Sequence, residues 1–211
     1  MRIIQASNVD LIEPFPLAEV QRLVGWLHCY KSAMLADGQP SSNEDMEKYI
    51  LASMPNSLSF GVIDKNNTLN YKHEAPLIGV IWADPGFTQQ SVYFHFTSTR
   101  RAWGSGLMDE AGHQVIKHLF ETYPLSRISA FILNNNKPAK NYLKRLGFKQ
   151  DGLFPDYVTQ NNIPRSMAHF GLTKRAYLCP TLSPVAALSN QTTSTKEPAL
   201  EQTQPTTPIL G

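Results

Sequence analysis

The sequence predicts a single α/β domain followed by a C-terminal tail without a core of its own. Three observations support this prediction. Short runs rich in β-branched and aromatic residues alternate with longer runs of helical periodicity. The 211 residues, 42% of them hydrophobic, suffice for one well-buried domain but hardly for two. From residue 180 onward the chain is dominated by Pro, Thr, Ser and Gln and has no aromatic residue, so it cannot offset its ordering entropy by burial.

Two helices are predicted near the N-terminus. Residues 16–34 begin with Pro16, which the first helical turn tolerates, and residues 41–54 begin with Ser and Asn, which favour helix N-caps. Pro55 ends the second helix. Both segments have helical spacing, with apolar residues at Leu17, Val20, Leu23, Val24, Leu27 and Tyr30 in the first and at Met46, Tyr49, Ile50 and Met54 in the second.

Three strands and a long helix are predicted next. Residues 58–64 and 76–84 form an antiparallel pair, because both are β-rich and a turn-rich segment separates them. Residues 91–99 form a third, central strand. Residues 105–123 place their apolar side chains at helical spacing and are followed by a proline.

The remainder of the domain is predicted to be a strand, a short helix and a closing hairpin. Residues 127–133 are a buried strand, and residues 137–148 are a short helix that ends at Gly147. Residues 153–160 and 165–174 flank a turn and pair with each other. We place the folded domain at residues 1–176 and a disordered tail at 177–211, with a short docking motif at the very end as the alternative for part of the tail.

Charge and cysteine content exclude several classes of protein. A formal net charge of +2 is too small to indicate a nucleic-acid partner or an anionic membrane partner. Cys29 and Cys179 match no metal or disulfide pattern. No apolar run approaches the length of a membrane span, and the first residues do not resemble a signal peptide. We therefore expect a soluble, cytoplasmic protein that uses no metal.

The segment 100–106, RRAWGSG, lies where a predicted strand becomes the long helix. Glycines at such a point let backbone N–H groups approach a ligand, and the N-terminus of the next helix offers unpaired donors with partial positive charge. A phosphate-binding loop is one interpretation. A tight turn that needs glycine only for its geometry is the other.

A second motif gives the first one a context. The pattern Arg101-x-x-Gly104-x-Gly106 is followed, about 30 residues later, by Asn136-x-x-Ala139 and then by a Leu-Gly-Phe sequence. In this order the two motifs resemble those of the GCN5-related N-acetyltransferases (GNAT), and the resemblance covers residues 1–176. The region after the Gly-Phe resembles the ribosomal-protein-type members, and the chain is also similar to bacteriophage-encoded acetyltransferase-like proteins.

The resemblance implies a mixed, mostly antiparallel central sheet flanked by helices, and acetyl-CoA as acyl donor. Backbone amides of the glycine loop would bind the pyrophosphate. The preceding strand would splay from its neighbour and hold the pantetheine arm with its backbone. Asn136 would order that arm, although it could equally cap the short helix. The residues implied in cofactor binding are Phe96, Thr97, Arg101, Trp103, Gly104, Ser105, Gly106 and Asn136.

Candidates for catalysis follow the motifs less closely. Many family members have a tyrosine four residues before the Gly of Gly-Phe, where this chain has Leu143. Tyr142 is one residue early, so on a helix it points about 100° away. His95 shares a strand face with Tyr93, and imidazole is a suitable base near neutral pH. His95 and Tyr142 are therefore the candidate catalytic residues, with water as the alternative proton acceptor.

The implied activity is transfer of acetyl from acetyl-CoA to a primary amine by direct attack. The acceptor is left open among a protein N-terminus, a lysine and a small amine, and the oligomeric state is left open between monomer and homodimer. The alternative is a catalytically idle scaffold or assembly protein of the same fold, possibly encoded by a phage.

Overall fold

The computed structural model describes residues 1–29, 40, 42–67 and 76–179. Within these residues the chain forms one eight-stranded sheet and five α-helices. The strands are β1 (Arg2–Gln5), β2 (Val9–Glu13), β3 (Leu58–Asp64), β4 (Leu77–Pro85), β5 (Ser91–Ser98), β6 (Arg127–Leu133), β7 (Lys149–Gln160) and β8 (Ile163–Thr173). The helices are α1 (Val20–Cys29), α2 (Asn43–Ser53), α3 (Leu107–Thr122), α4 (Lys137–Arg145) and α5 (Lys174–Leu178).

The sheet is mixed but mostly antiparallel. Its strand order is β1-β2-β3-β4-β5-β6-β8-β7, and the pairing of β5 with β6 is the parallel one among these neighbours. That pairing extends only from Ser91 to Tyr93 on β5 and from Arg127 to Ser129 on β6. Beyond these residues the two strands pair with other neighbours, so the sheet opens between them as the family resemblance implied.

Helices cover both faces of the sheet. Val80 and Ile81 are consecutive residues of β4, so their side chains point to opposite faces. Ile81 belongs to a buried cluster that includes side chains from α3 and α4, whereas Val80 belongs to a second cluster with side chains from α1 and α2. The first cluster is the larger, and it extends across the sheet from Val9 on β2 to Leu172 on β8.

The predicted fold class is confirmed, and most predicted elements are present. The antiparallel pair β3 and β4, the strands β5 and β6, the helices α2, α3 and α4, and the closing hairpin of β7 and β8 lie where the periodicity placed them. The first helix begins later than predicted, at Val20, because residues Leu17–Glu19 form a 3-10 turn. Its predicted end at residue 34 lies outside the described residues.

Two strands were missed. β1 and β2 have only four and five residues and pair with each other as a hairpin at the start of the chain. β1 is mostly exposed, so its side chains carry no alternation of burial that a sequence pattern could reveal. β2 is placed by its pairing with β3, a contact distant in sequence.

The C-terminal end of the described region packs against α3. Helix α5 spans the predicted domain boundary at residue 176, and the compact unit extends from Met1 to Leu178. The ring of Tyr177 lies 5.3 Å from that of Phe120, measured between centroids, and the Nζ of Lys174 donates a hydrogen bond of 2.6 Å to the Phe120 carbonyl. Residues 180–211 of the predicted tail lie outside the described residues. None of the helices that the structure describes is long and apolar enough to cross a membrane.

Candidate active site

The loop between β5 and α3 has the open geometry that a phosphate site requires. A 3-10 turn, Arg100–Ala102, follows the strand. Gly104 and Gly106 then adopt φ values of 74° and 81°, a left-handed conformation that favours glycine. Apart from the chain neighbours, no heavy atom of the described residues lies within 4 Å of the position that a Cβ would take at either glycine. The space on the Cβ side of both glycines is therefore open to a ligand.

Side chains around this loop fix its shape. The Ser105 hydroxyl donates a hydrogen bond of 2.8 Å to the Ala102 carbonyl and accepts one of 3.3 Å from the Leu107 N–H. Ser105 thus ties the 3-10 turn to the first residue of α3. Arg101 and Trp103 are both exposed, so their side chains lie at the loop surface.

Acidic residues in the first turn of α3 are held by partners. Arg145 of α4 binds both carboxylate oxygens of Asp109 at 3.0 to 3.1 Å and balances its charge. Glu110 accepts a 2.8 Å hydrogen bond from the Asn8 N–H and another from its side chain. Burial raises the pKa of Glu110, but these hydrogen bonds outweigh it and hold the pKa below its usual value. Glu110 is therefore ionised and is held by neutral donors.

A cavity of about 330 Å³ lies where β5 diverges from β6. Its walls come from α1, α2, β4, β5, β6, α4 and the β7–β8 hairpin. The described residues that line it are Leu23, Leu27, Met46, Tyr49, Ile50, Ser53, Met54, Trp82, Asp84, Phe94, His95, Phe96, Phe131, Ile132, Leu133, Asn136, Ala139, Val158 and Met167. Its position between the splayed strands, on the strand that leads into the glycine loop, is suited to the arm of a cofactor bound at that loop.

Two residues predicted to contact the cofactor line this cavity, and a third lies beside it on β5. Phe96 lines the cavity and packs its ring 4.5 Å from that of Tyr142. Asn136 also lines the cavity, and its Oδ1 accepts a 3.2 Å hydrogen bond from the Ala139 N–H. Asn136 therefore caps the N-terminus of α4, as one of the two interpretations predicted, and it also lines the cavity. Thr97 is buried.

Two polar side chains that line the cavity, His95 and Asp84, form a hydrogen-bonded chain with Ser57, which is not among the described lining residues. The His95 Nε2 lies 3.1 Å from Asp84 Oδ2, and the Ser57 hydroxyl donates a hydrogen bond to Asp84 Oδ1. The imidazole also stacks on the Trp82 indole, with 5.1 Å between centroids and 12° between planes. Burial raises the pKa of Asp84, but the hydrogen bonds from His95 and Ser57 outweigh it and lower the pKa below its usual value.

Strand pairing explains how these groups meet. Trp82 lies opposite His95 in the pairing of β4 with β5, which places the two rings on one face of the sheet. Asp84 is two residues further along β4 on that same face, within reach of the imidazole. His95 is thus held from two sides, with 41% of its side-chain surface exposed.

Tyr142, the second predicted catalytic residue, lies elsewhere. Its side chain is buried between α4 and α3, and its hydroxyl donates a 2.9 Å hydrogen bond to the Met108 carbonyl. Burial raises its pKa far above the usual value, and the carboxylate of Asp109 adds to the increase. Tyr142 is not among the described residues that line the cavity, and neither is Leu143. The structure therefore does not bring Tyr142 together with His95.

Asp84 and Ser57 were not predicted from the sequence. Asp84 stands at the end of a predicted strand, a common place for a turn-forming residue, and Ser57 precedes another strand. Their proximity to His95 depends on the register of β4 with β5, which no local pattern specifies. Among the described residues, no group of three or more His, Cys, Asp or Glu side chains is arranged to hold a metal ion.

Comparison with known sequences identifies the family. The family model described as "Acetyltransferase (GNAT) domain" matches residues 11–149. The "Uncharacterized N-acetyltransferase YoaA" of Bacillus subtilis (strain 168) is 28% identical to the chain over 72 residues. That match spans 34% of this chain and 41% of the relative, so it covers less than half of the relative's length.

Solved structures share the fold. RimL, a ribosomal L7/L12 alpha-N-protein acetyltransferase solved with coenzyme A, superposes with a TM-score of 0.67 at 14% identity and covers 82% of this chain and 98% of its own. A spermidine N-acetyltransferase from Vibrio cholerae, solved with CoA and spermine, has a TM-score of 0.67 at 14% identity and covers 82% of this chain and 99% of its own. At such identities the likeness concerns the fold.

A mixed sheet that splays beside a glycine loop and a helix N-terminus defines the class of acyl-CoA-binding transferase domains. Because the family model matches more than half of the chain, the assignment is more specific. The chain belongs to the GNAT acetyltransferase family. The predicted family is thereby confirmed, whereas the roles of individual site residues stay predictions.

Proposed function

We propose that this protein transfers an acetyl group from acetyl-CoA to a primary amine by direct attack. The observation that carries the proposal is the His95–Asp84 pair, which lines a cavity at the splay between β5 and β6. That cavity adjoins the strand leading to the glycine loop. An anionic donor held at the loop and a base placed beside the splayed strands are the two parts that this chemistry requires.

The loop residues would hold the donor. Backbone N–H groups around Gly104 and Gly106 and the N-terminus of α3 are suited to the diphosphate of acetyl-CoA, because a diphosphate is a strong acceptor with two negative charges. Arg101 would add a positive charge at the loop surface. The thioester arm would follow β5 past Phe96 into the cavity. Acetyl-CoA supplies the activated acyl group.

His95 would take the proton. The amine nitrogen attacks the thioester carbonyl, a C–N bond forms, and the C–S bond breaks. The nitrogen gives its proton to the imidazole, while Asp84 holds the ring in orientation and favours the imidazolium that forms. The leaving thiolate takes its proton from solvent, since the hydroxyl of Tyr142 is already donated to the Met108 carbonyl.

The structural neighbours include enzymes for large and for small amine acceptors. One is named for a ribosomal protein and another for spermidine. For this chain we propose an amine-bearing acceptor, either a protein or a small molecule. The oligomeric state, monomer or homodimer, and the cytoplasmic location stay predictions from the sequence. No feature of the described site favours the scaffold alternative.

The test is acetylation of a panel of amines. We expect CoA release from acetyl-CoA to accelerate with a suitable acceptor and to rise with pH as the amine loses its proton. Phe87→Ser serves as a control and should release CoA at the wild-type rate, because Phe87 is 95% exposed and is not among the described residues that line the cavity. If CoA binds but mass spectrometry finds no acetylated product, even from whole-cell lysate, the scaffold alternative replaces the enzyme.

A further inference from the structure

We infer that the acceptor is a monoamine whose nitrogen carries an apolar or aromatic substituent, and that polyamines are poor substrates. The inference rests on the proposed function and narrows its acceptor class. It follows from the distribution of charge and of apolar surface around the cavity.

The first observation is the number of charges. Asp84 is the one carboxylate among the described residues that line the cavity, and those residues include no Lys or Arg. The carboxylate of Asp84 is thus the single negative charge of this lining, which suits a single ammonium group. The second and third ammonium groups of a polyamine would lie against apolar side chains. Such burial of an unpaired charge is strongly unfavourable.

The second observation is an apolar wall of the cavity. Met46 and Ile50 of α2 and Met54, which directly follows α2, line the cavity and are at most 5% exposed to solvent. Leu23 and Leu27 of α1 continue the same wall. These residues belong to the second core cluster, so an apolar substituent placed there would extend that core. The two methionines can adapt their shape to different substituents.

The third observation is size. About 330 Å³ lies at the lower end of the range for small-molecule pockets, and part of this volume must hold the acetylated end of the donor. The remaining space fits a substituent of about the size of one side chain. A short arylalkylamine and a protein N-terminus with an apolar first residue both offer this chemistry.

The experiment compares acceptors that differ in charge and polarity. We would measure kcat/KM at one pH for 2-phenylethylamine, spermidine and ethanolamine, and for two lysine-free peptides that begin with Leu or with Asp. We expect 2-phenylethylamine or the Leu peptide to exceed spermidine by about tenfold or more, because of the desolvation cost of the extra ammonium groups. If 2-phenylethylamine has the higher kcat/KM of the two, the acceptor is a small amine. If the Leu peptide has the higher value, the acceptor is a protein N-terminus.

A charge variant provides a second arm that leaves the core intact. Tyr49 lines the cavity but is 54% exposed, so Tyr49→Glu should fold. Its added carboxylate should raise the spermidine rate relative to 2-phenylethylamine by severalfold. Leu51→Glu is the matched control, since Leu51 is on the same helix, is 40% exposed and does not line the cavity. It should leave the ratio unchanged.

The outcomes separate the inference from the function beneath it. Spermidine equal to or better than the apolar amines would overturn the inference and leave the acetyltransferase proposal standing. Equal shifts in Tyr49→Glu and Leu51→Glu would also overturn it, since the effect would then come from net charge and not from the cavity. If CoA binds and none of the amines is acetylated, the proposed function itself fails.

Discussion

His95 is the single side chain on which the proposed chemistry depends most. It stacks on Trp82 and pairs with Asp84, so its ring is positioned before any ligand arrives. We expect His95→Ala to lower kcat by about 100-fold or more, the usual contribution of a general base. Calorimetry should show CoA binding retained, because the proposed contacts to the diphosphate come from backbone N–H groups of the glycine loop, which His95→Ala leaves in place.

Tyr142→Phe is the companion variant. It removes only a buried hydroxyl that donates to the Met108 carbonyl, so we expect a cost of about 1 kcal/mol in the free energy of unfolding. The rate of acetyl transfer should stay within about threefold of wild type. A loss in Tyr142→Phe that matched that of His95→Ala would show that the tyrosine reaches the reacting groups.

Asp84 makes the stability of the site depend on pH in a defined direction. Its folded-state pKa lies below the usual aspartate value of 3.8, so the ionised form is favoured by folding. The resulting stabilisation is fully present above that value and is lost as pH falls through the folded-state pKa. Asp84→Asn cannot titrate. The difference in unfolding free energy between wild type and Asp84→Asn should therefore decrease as the pH falls below about 4. A difference that stayed constant below about pH 4 would contradict this assignment.

The residues of the site differ in how far the sequence could reveal them. Gly104 and Gly106 were predicted because a local motif required glycine, and the left-handed φ values of both agree with that requirement. His95 was predicted from its place on a strand. Asp84 and Ser57 were not, because their relation to His95 depends on strand register, and register is decided by contacts between segments distant in sequence. The sequence indicated that Tyr142 points away from the acid position, but it did not reveal the hydrogen bond of Tyr142 to the Met108 carbonyl.

At the scale of elements, the junction of β5, the glycine loop and α3 is the feature to test. At Gly104, φ is 74°, so Gly104→Val forces a side chain into a left-handed conformation at a cost of about 1 to 2 kcal/mol. It also places a side chain where a ligand would approach. We expect a modest fall in the melting temperature. We also expect loss of the stabilisation by CoA, which is about 2.7 kcal/mol of unfolding free energy when the CoA concentration is 100 times Kd.

Gly25→Ala is the control for that variant. Gly25 lies in α1 and has an ordinary φ, and outside its own helix backbone no heavy atom of the described residues lies within 4 Å of the position of a Cβ. Replacing glycine by alanine in a helix should stabilise it by about 0.5 to 1 kcal/mol. The CoA-induced shift should remain. A shift retained in Gly104→Val would place the cofactor site elsewhere.

Elements were predictable in proportion to their length and periodicity. The 16-residue α3 has apolar residues at helical spacing throughout, so its position was evident from the sequence. The missed β1 and β2 are short and depend on β3 for their pairing. The opening between β5 and β6 could not be read from either strand, because both have ordinary strand patterns. It was predicted only through the family resemblance.

At the scale of the whole molecule, the question is where the stable fold ends. The compact unit reaches Leu178, with Tyr177 packed on the buried ring of Phe120. A chain that ends at residue 179 should have the melting temperature of the full protein, because the removed segment has no aromatic residue to contribute to a core. A chain that ends at residue 174 should melt about 2 to 8 °C lower, since it loses the half-buried Tyr177 and its contact with Phe120, worth about 1 to 2 kcal/mol. Thermal unfolding followed by circular dichroism would compare the three chains. Equal melting temperatures for the chains that end at 174 and 179 would show that α5 contributes nothing to stability. A lower melting temperature for the chain that ends at 179 than for the full protein would show that the removed segment stabilises the domain.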